Sequence, residues 1–68
     1  MSVQEIKVIV DYKTKEAHNK LQEASRILEK VKEDGDKEKI SVWNNICDYR
    51  LAKWGAYNDI KETIELMQ

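Results

Sequence analysis

The stretch VKEDGDKEKI, residues 31–40, contains the one clear break in a chain that is otherwise compatible with helix. Gly35 suits the left-handed backbone position that follows a helix. The side chain of Asp36 can accept hydrogen bonds from the free amides that begin the next helix. Proline is absent from the sequence. We therefore predict a helix at about 3–33, a turn at 34–36 and a second helix at about 37–66.

The first predicted helix begins with a capping signal and carries one apolar stripe. Ser2 and Glu5 fit the capping box, in which the Ser2 hydroxyl accepts from the Glu5 amide while the Glu5 carboxylate reaches back. Apolar residues then recur at three-, four- and seven-residue steps, which is typical of one helix face. The stripe contains Val3, Ile6, Val10, Ala17, Leu21, Ala24, Leu28 and Val31, with Ile9 and Ile27 beside it.

The β-branched run at residues 6–10 is also compatible with a short strand, because such side chains favour extended backbone. The capping signal favours a helix, and no other segment of the chain could pair with this strand. Both readings of residues 6–10 stay open at the level of the sequence.

The second predicted helix is apolar around much of its circumference. On a wheel of about 100° per residue, its apolar positions spread over roughly 220°, which is wider than one neighbouring helix requires. These positions form two lines. The first line contains Ile40, Trp43, Cys47, Leu51, Trp54 and Tyr57. The second line contains Val42, Ile46, Tyr49, Ala56, Ile60, Ile64 and Met67.

We expect the first line to face the first helix and the second line to need a partner. Arg50 and Lys53 lie between the lines, where they could pair with acidic residues of a neighbour. Gly55 lies inside the helix at a cost of roughly 1 kcal/mol against alanine. We therefore expect a close backbone approach beside Trp54, or a slight bend.

Composition and motifs argue against several classes of function. Charged residues make up 37% of the chain but nearly cancel to a net charge of −1, which disfavours nucleic-acid binding by bulk electrostatics. Cys47, the only cysteine, cannot form a disulfide within the chain, and with His18 it cannot complete a zinc site. No phosphate loop or nucleophile–base pair is recognisable. We expect no enzymatic activity, cofactor, metal or small-molecule substrate.

The sequence also indicates a single small domain in the cytoplasm. A chain of 68 residues forms at most one domain. Its longest apolar run, residues 8–10, is far too short to span a membrane, and residues 1–5 do not begin a recognisable signal peptide. A lone thiol fits a reducing compartment.

We expect an all-α, antiparallel two-helix hairpin that associates with itself, giving a four-helix bundle, or with a helical partner. Small cores supply only a few kcal/mol, and oligomerisation is one common supplement. The predicted function is therefore a non-enzymatic interaction module (an adaptor, small chaperone or inhibitor) whose partner is another protein or, as a homodimer, a second copy. The predicted interface comprises Trp43, Ile46, Tyr49, Trp54, Tyr57, Ile60 and Ile64.

An uninterrupted hairpin of this length resembles, in architecture, the plasmid-encoded RNA-binding Rop family. Its two-helix subunits dimerise into a four-helix bundle and grip RNA with the first helices. This resemblance implies an alternative function, nucleic-acid binding by a dimer. The comparable surface here contains Lys7, Lys13, Lys15, Asn19, Lys20 and Arg26.

The segment GDKEKISVW at residues 35–43 resembles the turn and early second helix of another family, the small YscE-like needle-subunit co-chaperones of type III secretion systems. Those proteins are helical hairpins that join a larger helical chaperone and keep the needle subunit monomeric. The resemblance implies that Ile40, Trp43, Cys47 and Leu51 hold the hairpin together. The second apolar line would then meet the partner.

Overall fold

The computed structural model describes residues 2–68 as a long helical hairpin. Helix α1 spans Val3–Asp34 and helix α2 spans Lys37–Leu66, packed antiparallel in a shape of 49 × 15 × 13 Å. The predicted all-α hairpin is confirmed. Residues 6–10 lie within α1, so the strand alternative is wrong. Over the described residues, neither helix has a stretch long and apolar enough to cross a bilayer.

The helix ends use the residues that the sequence indicated. Ser2 accepts a hydrogen bond from the amide of Glu5 at 3.2 Å, and its hydroxyl donates to the Glu5 carboxylate at 3.3 Å. Gly35 has φ 75°, and its amide donates to carbonyls of the last turn of α1. Asp36 accepts from the amide of Lys39 at 3.2 Å. Side chains and one left-handed glycine therefore satisfy helix ends that would otherwise be left unpaired.

The two helices meet along a strip that we call the seam. Its members alternate three- and four-residue steps on both helices, the spacing typical of a coiled coil, and each is buried or half-buried. On α1 the seam contains Lys7, Val10, Thr14, Ala17, Leu21, Ala24, Leu28 and Val31. On α2 it contains Ile40, Trp43, Cys47, Arg50, Trp54, Tyr57, Lys61 and Ile64.

Three contacts between the helices show the register of the hairpin. The Arg50 guanidinium donates to the carbonyl oxygen of Lys20 at 2.7 Å, and the Gln68 amide donates to the Gln4 side chain at 3.2 Å. Between them, the rings of His18 and Trp54 lie 5.9 Å apart. This register places Ala17 level with Trp54, and Ala24 level with Cys47.

Several seam positions differ from the predicted stripes. Leu51 is exposed, and the seam continues instead through Arg50 and Lys61. The apolar line predicted for a straight α-helix rotates by about 20° per seven residues relative to the seven-residue repeat of the seam. This rotation places Leu51 outside the contact between the helices. Val3 and Ile6 are also exposed. Ile6 flanks the seam beside Lys7, and Val3 lies level with the last residues of the chain, where Gln4 contacts Gln68.

Burial between only two helices is shallow. Ala24 is completely buried, but no large side chain among the described residues is. Thr14, the buried polar residue, donates its hydroxyl to the Val10 carbonyl at 2.7 Å and so does not lose a hydrogen bond on burial. The core is a single layer, with both tryptophans only half-buried.

The expected close approach at Gly55 is wrong. A Cβ built on Gly55 meets no atom within 4 Å beyond its own helix backbone and chain neighbours. The backbone there does not have a positive φ, unlike that of Gly35. Gly55 therefore leaves the helix weaker without making room for a neighbour.

We predict that Gly55→Ala raises the free energy of unfolding by about 1 kcal/mol, because alanine loses less backbone entropy in a helix. Thermal unfolding followed by circular dichroism measures the change, which corresponds to roughly 4–8 °C for a domain of this size. Gly35→Ala is the matched control. It should lower stability by about 1–2 kcal/mol, because its backbone is left-handed. Equal effects at the two glycines would contradict this account.

A second prediction concerns the tight part of the seam. Ala24→Leu should lower the free energy of unfolding by about 1–3 kcal/mol, because added methylenes must push the helices apart. Ala52→Leu adds the same atoms at an exposed position of α2 and should change stability little. Urea unfolding of both variants tests the comparison, and a stabilised Ala24→Leu protein would show that the seam is not closely packed there.

Candidate protein-binding surface

The seam divides the hairpin surface into two faces of different composition. One face, the candidate face, is defined by a cleft of about 170 Å³ to which Lys13, Glu16 and Lys20 contribute from α1 and Tyr49 and Lys53 from α2. Seven-residue steps from these residues extend the face along both helices. Eight of the positions reached in this way are apolar, and they are Ile6, Ile9, Ile27, Val42, Ile46, Ala56, Ile60 and Met67. The same steps also reach five charged or polar positions within the helices, which are Glu23, Lys30, Asp34, Lys39 and Thr63.

The opposite face is mainly polar. Asp11, Lys15 and His18 of α1 share a groove there with Asn58 and Lys61 of α2. Three large apolar side chains are also exposed on this side: Tyr12, which lines the groove, Val8, seven residues before Lys15, and Leu51. The two faces therefore differ in the property that decides association, which is the amount of apolar surface that they present to water.

Both helices contribute exposed apolar side chains to the candidate face. On α2, Tyr49 is 65% exposed and Ile60 is 47% exposed. On α1, Ile6 and Ile9 are exposed near the open end of the hairpin, and half-buried Ile27 lies near the turn. Apart from Tyr49, which lines the central cleft, these apolar residues form two groups, one toward each end of the face.

Positive charge occupies the middle of the candidate face. Lys13, Lys20, Arg50 and Lys53 all line the cleft, and Glu16 is the one carboxylate that lines it. The Glu16 carboxylate lies 4.0 Å from the Lys13 ammonium and 3.8 Å from that of Lys20. Four cations therefore line the cleft with one carboxylate, which pairs with Lys13 and Lys20 only, and we call these four cationic residues the cation cluster.

Aromatic rings lie within the same cluster. The Lys53 ammonium is 5.8 Å from the centroid of the Tyr49 ring, a distance at which the ring face attracts a cation. Tyr57 lines the cleft from the seam, and Arg50 is held by its bond to the Lys20 carbonyl. The cleft combines apolar ring surface with an excess of hydrogen-bond donors.

The predicted interface residues divide between the candidate face and the seam. Tyr49 and Ile60 are exposed on the candidate face, and Ile46 is half-buried at its edge. Ile64 is only 7% exposed and packs in the seam. The half-buried seam residues of this set are Trp43, Trp54 and Tyr57.

Sequence reasoning missed the contribution of α1 to this face. Ile6, Lys13, Lys20 and Ile27 recur at seven-residue steps, which is the signal that could have placed them together. The apolar stripe predicted for α1 was narrow, and Ile27 lay beside it. The cation cluster was also missed, because its members come from both helices.

Three of the six residues predicted for nucleic-acid binding, Lys15, Asn19 and Lys20, line one groove along α1 together with Glu16 and Glu23. The six residues do not all share one face. Lys13 and Lys20 lie on the candidate face beside Glu16, whereas Lys15 lines the groove on the opposite face. Lys7 is half-buried in the seam. Asn19 and Arg26 are exposed on the outer side of α1.

Groups that could support metal or nucleophilic chemistry are dispersed. No cluster of three or more potential metal ligands occurs within residues 2–68. His18 packs beside Trp54, and Cys47 lies two turns earlier on α2, half-buried in the seam. The chain matches no family model, no curated protein and no solved structure.

The two ion pairs of Glu16 generate a prediction. Glu16→Gln should lower the free energy of unfolding by about 0.5–1 kcal/mol at low salt, because two exposed helical pairs are lost and the cations then repel one another. The loss should shrink at high salt, where exposed charges are screened. Urea is the suitable denaturant because it is uncharged.

Glu29→Gln is the control for this measurement, since Glu29 is exposed and forms no ion pair in the described part of the chain. It should change stability less than Glu16→Gln at low salt. If the two variants respond equally, Glu16 does not balance the cluster.

Proposed function

We propose that this chain is a non-enzymatic protein-interaction module that binds through the candidate face. The observation that carries the proposal is the alignment of exposed apolar side chains from both helices on one face, while the opposite face is mainly polar. Exposed apolar surface of this kind is typical of interaction sites. Adaptor, small chaperone and inhibitor are the roles that such a module would serve, and the co-chaperone resemblance agrees with them in kind.

The shallow core supports the same proposal. The described residues bury no large side chain completely, so a third or fourth helix on the candidate face would add the second layer that the hairpin lacks. Another helical protein would provide this layer, and so would a second copy in a four-helix bundle. A cytoplasmic location belongs to the proposal because a single half-buried thiol fits a reducing compartment.

Nucleic-acid binding by a dimer remains the alternative proposal, with weaker support. Three of its six predicted residues share one groove along α1, but that groove also contains Glu16 and Glu23. The other three lie apart, in the seam, on the candidate face and on the outer side of α1. Lys13 and Lys20 are also partly neutralised by Glu16. Exposed apolar groups at both ends of the candidate face fit a protein partner better than a phosphate backbone.

The double substitution Tyr49→Glu with Ile60→Glu tests the proposed function. Both side chains are exposed, so the hairpin should remain folded, as circular dichroism would show. Binding should fall at least about tenfold, because two carboxylates would have to be desolvated in an apolar interface. Leu51→Glu is the control, because Leu51 is 51% exposed on the opposite face.

Two measurements show the loss of binding. Sedimentation velocity at micromolar concentration reports self-association, and a photo-crosslinking amino acid at position 49, compared with position 51, reports a partner in the native host. The proposal requires assembly or crosslinking that depends on the candidate face. A monomer that crosslinks to nothing from position 49 would overturn it.

A further inference from the structure

We infer that the partner of the candidate face is a helix with a carboxylate-rich centre and apolar residues on both sides of that centre. This inference rests on the proposed function and adds the chemistry of the partner. Its basis is the order of side chains along the face, which runs from an apolar group through the cation cluster to a second apolar group.

The spacing of the face fixes the dimensions of the partner. Ile6 and Ile27 are 21 residues apart on α1, and Ile46 and Met67 are equally far apart on α2. At 1.5 Å per residue, each pair spans about 30 Å. A matching helix therefore has about 20 residues, with its acidic side chains in the central two turns.

The charge at the centre favours such a partner over an uncharged one. Four cations line the cleft with one carboxylate, so a carboxylate arriving there finds donors that Glu16 alone does not satisfy. Arg50 is already oriented by its bond to the Lys20 carbonyl, and Lys53 lies against the Tyr49 ring. Charge-assisted hydrogen bonds at a partly enclosed site are stronger than those in open water.

The same charge disfavours a second copy of this chain as the occupant. The cation cluster lies near the middle of the 49 Å hairpin. If two copies pack their candidate faces together by a two-fold rotation with full overlap, the cation cluster of one copy lies against that of the other. This holds whether the hairpins run parallel or antiparallel. Like charges placed together across an interface oppose binding, whereas a central carboxylate is attracted.

Three synthetic helical peptides of about 20 residues test the inference with the full chain. They share the same apolar positions at both ends and differ only in the central two turns, which carry glutamate, glutamine or lysine. Fluorescence anisotropy with labelled peptides measures their dissociation constants at low and high salt. We expect the glutamate peptide to bind about tenfold more tightly than the glutamine peptide at low salt, and the lysine peptide to bind most weakly. The difference should narrow at high salt.

A charge-reversal variant separates the central carboxylates from general adhesion. Lys20→Glu with Lys53→Glu should reverse the order, so that the lysine peptide binds more tightly than the glutamate peptide. Lys32→Glu with Lys37→Glu makes the same change of net charge at exposed positions of the opposite face, near the turn, and should preserve the original order. Circular dichroism of each variant confirms that the hairpin is still folded.

Other outcomes distinguish the inference from the proposed function. Equal binding of all three peptides, lost in the Tyr49→Glu, Ile60→Glu variant, would overturn the inference and leave the proposed function intact. Self-association through the candidate face at low salt would do the same, with a second copy as the occupant. Tighter binding of a single-stranded oligonucleotide than of any peptide would overturn the inference. A monomer that binds no peptide and crosslinks to nothing from position 49 would overturn both.

Discussion

Packing of α1 against α2 along the seven-residue seam is the constraint on which the rest of this structure depends. It sets the antiparallel register, which brings Arg50 to the carbonyl of Lys20 and Trp54 beside His18. It also divides the remaining surface into two faces. Because the seam keeps its seven-residue repeat over most of both helices, residues seven positions apart on one side of the seam lie on the same face. The candidate face is a direct result of that regularity.

The local features of this fold follow from residues whose effects do not depend on the rest of the structure. Gly35 ends α1 because its left-handed backbone costs little without a Cβ, and Asp36 begins α2 by accepting from an amide three residues later. Ser2 and Glu5 act in the same way at the first helix. Each of these features can be identified within a window of a few residues, so the sequence was sufficient to predict them.

Side-chain placement was harder to predict because it depends on how the helices coil around each other. On the helical wheel of a straight α-helix, with about 3.6 residues per turn, Leu51 lies close to Ile40. The seam instead follows a repeat of about 3.5 residues and passes through Arg50. The close approach predicted at Gly55 was wrong for another reason, because the position of a glycine in the sequence does not show whether another helix lies close to it. The α2 half of the candidate face was visible in the sequence. The α1 half and the cation cluster required the register between the helices.

Polar side chains within the seam also shape what the hairpin can do. Thr14, Arg50 and Lys61 occupy positions where leucine or isoleucine would bury more apolar surface. In coiled coils, such residues reduce stability and specify one register over its neighbours. The hairpin therefore has a defined alignment and a modest core, and binding of the proposed partner to the folded state would add to its stability.

The order of groups along the candidate face has a consequence for binding direction. An apolar group, a central positive cluster and a second apolar group read the same from the open end as from the turn. The cation cluster itself therefore favours neither orientation of a bound helix. Discrimination between the two orientations must come from the ends, where Met67 and Ile60 lie at one, and Val42 and Ile46 lie at the other with the charged residues Lys30 and Lys39.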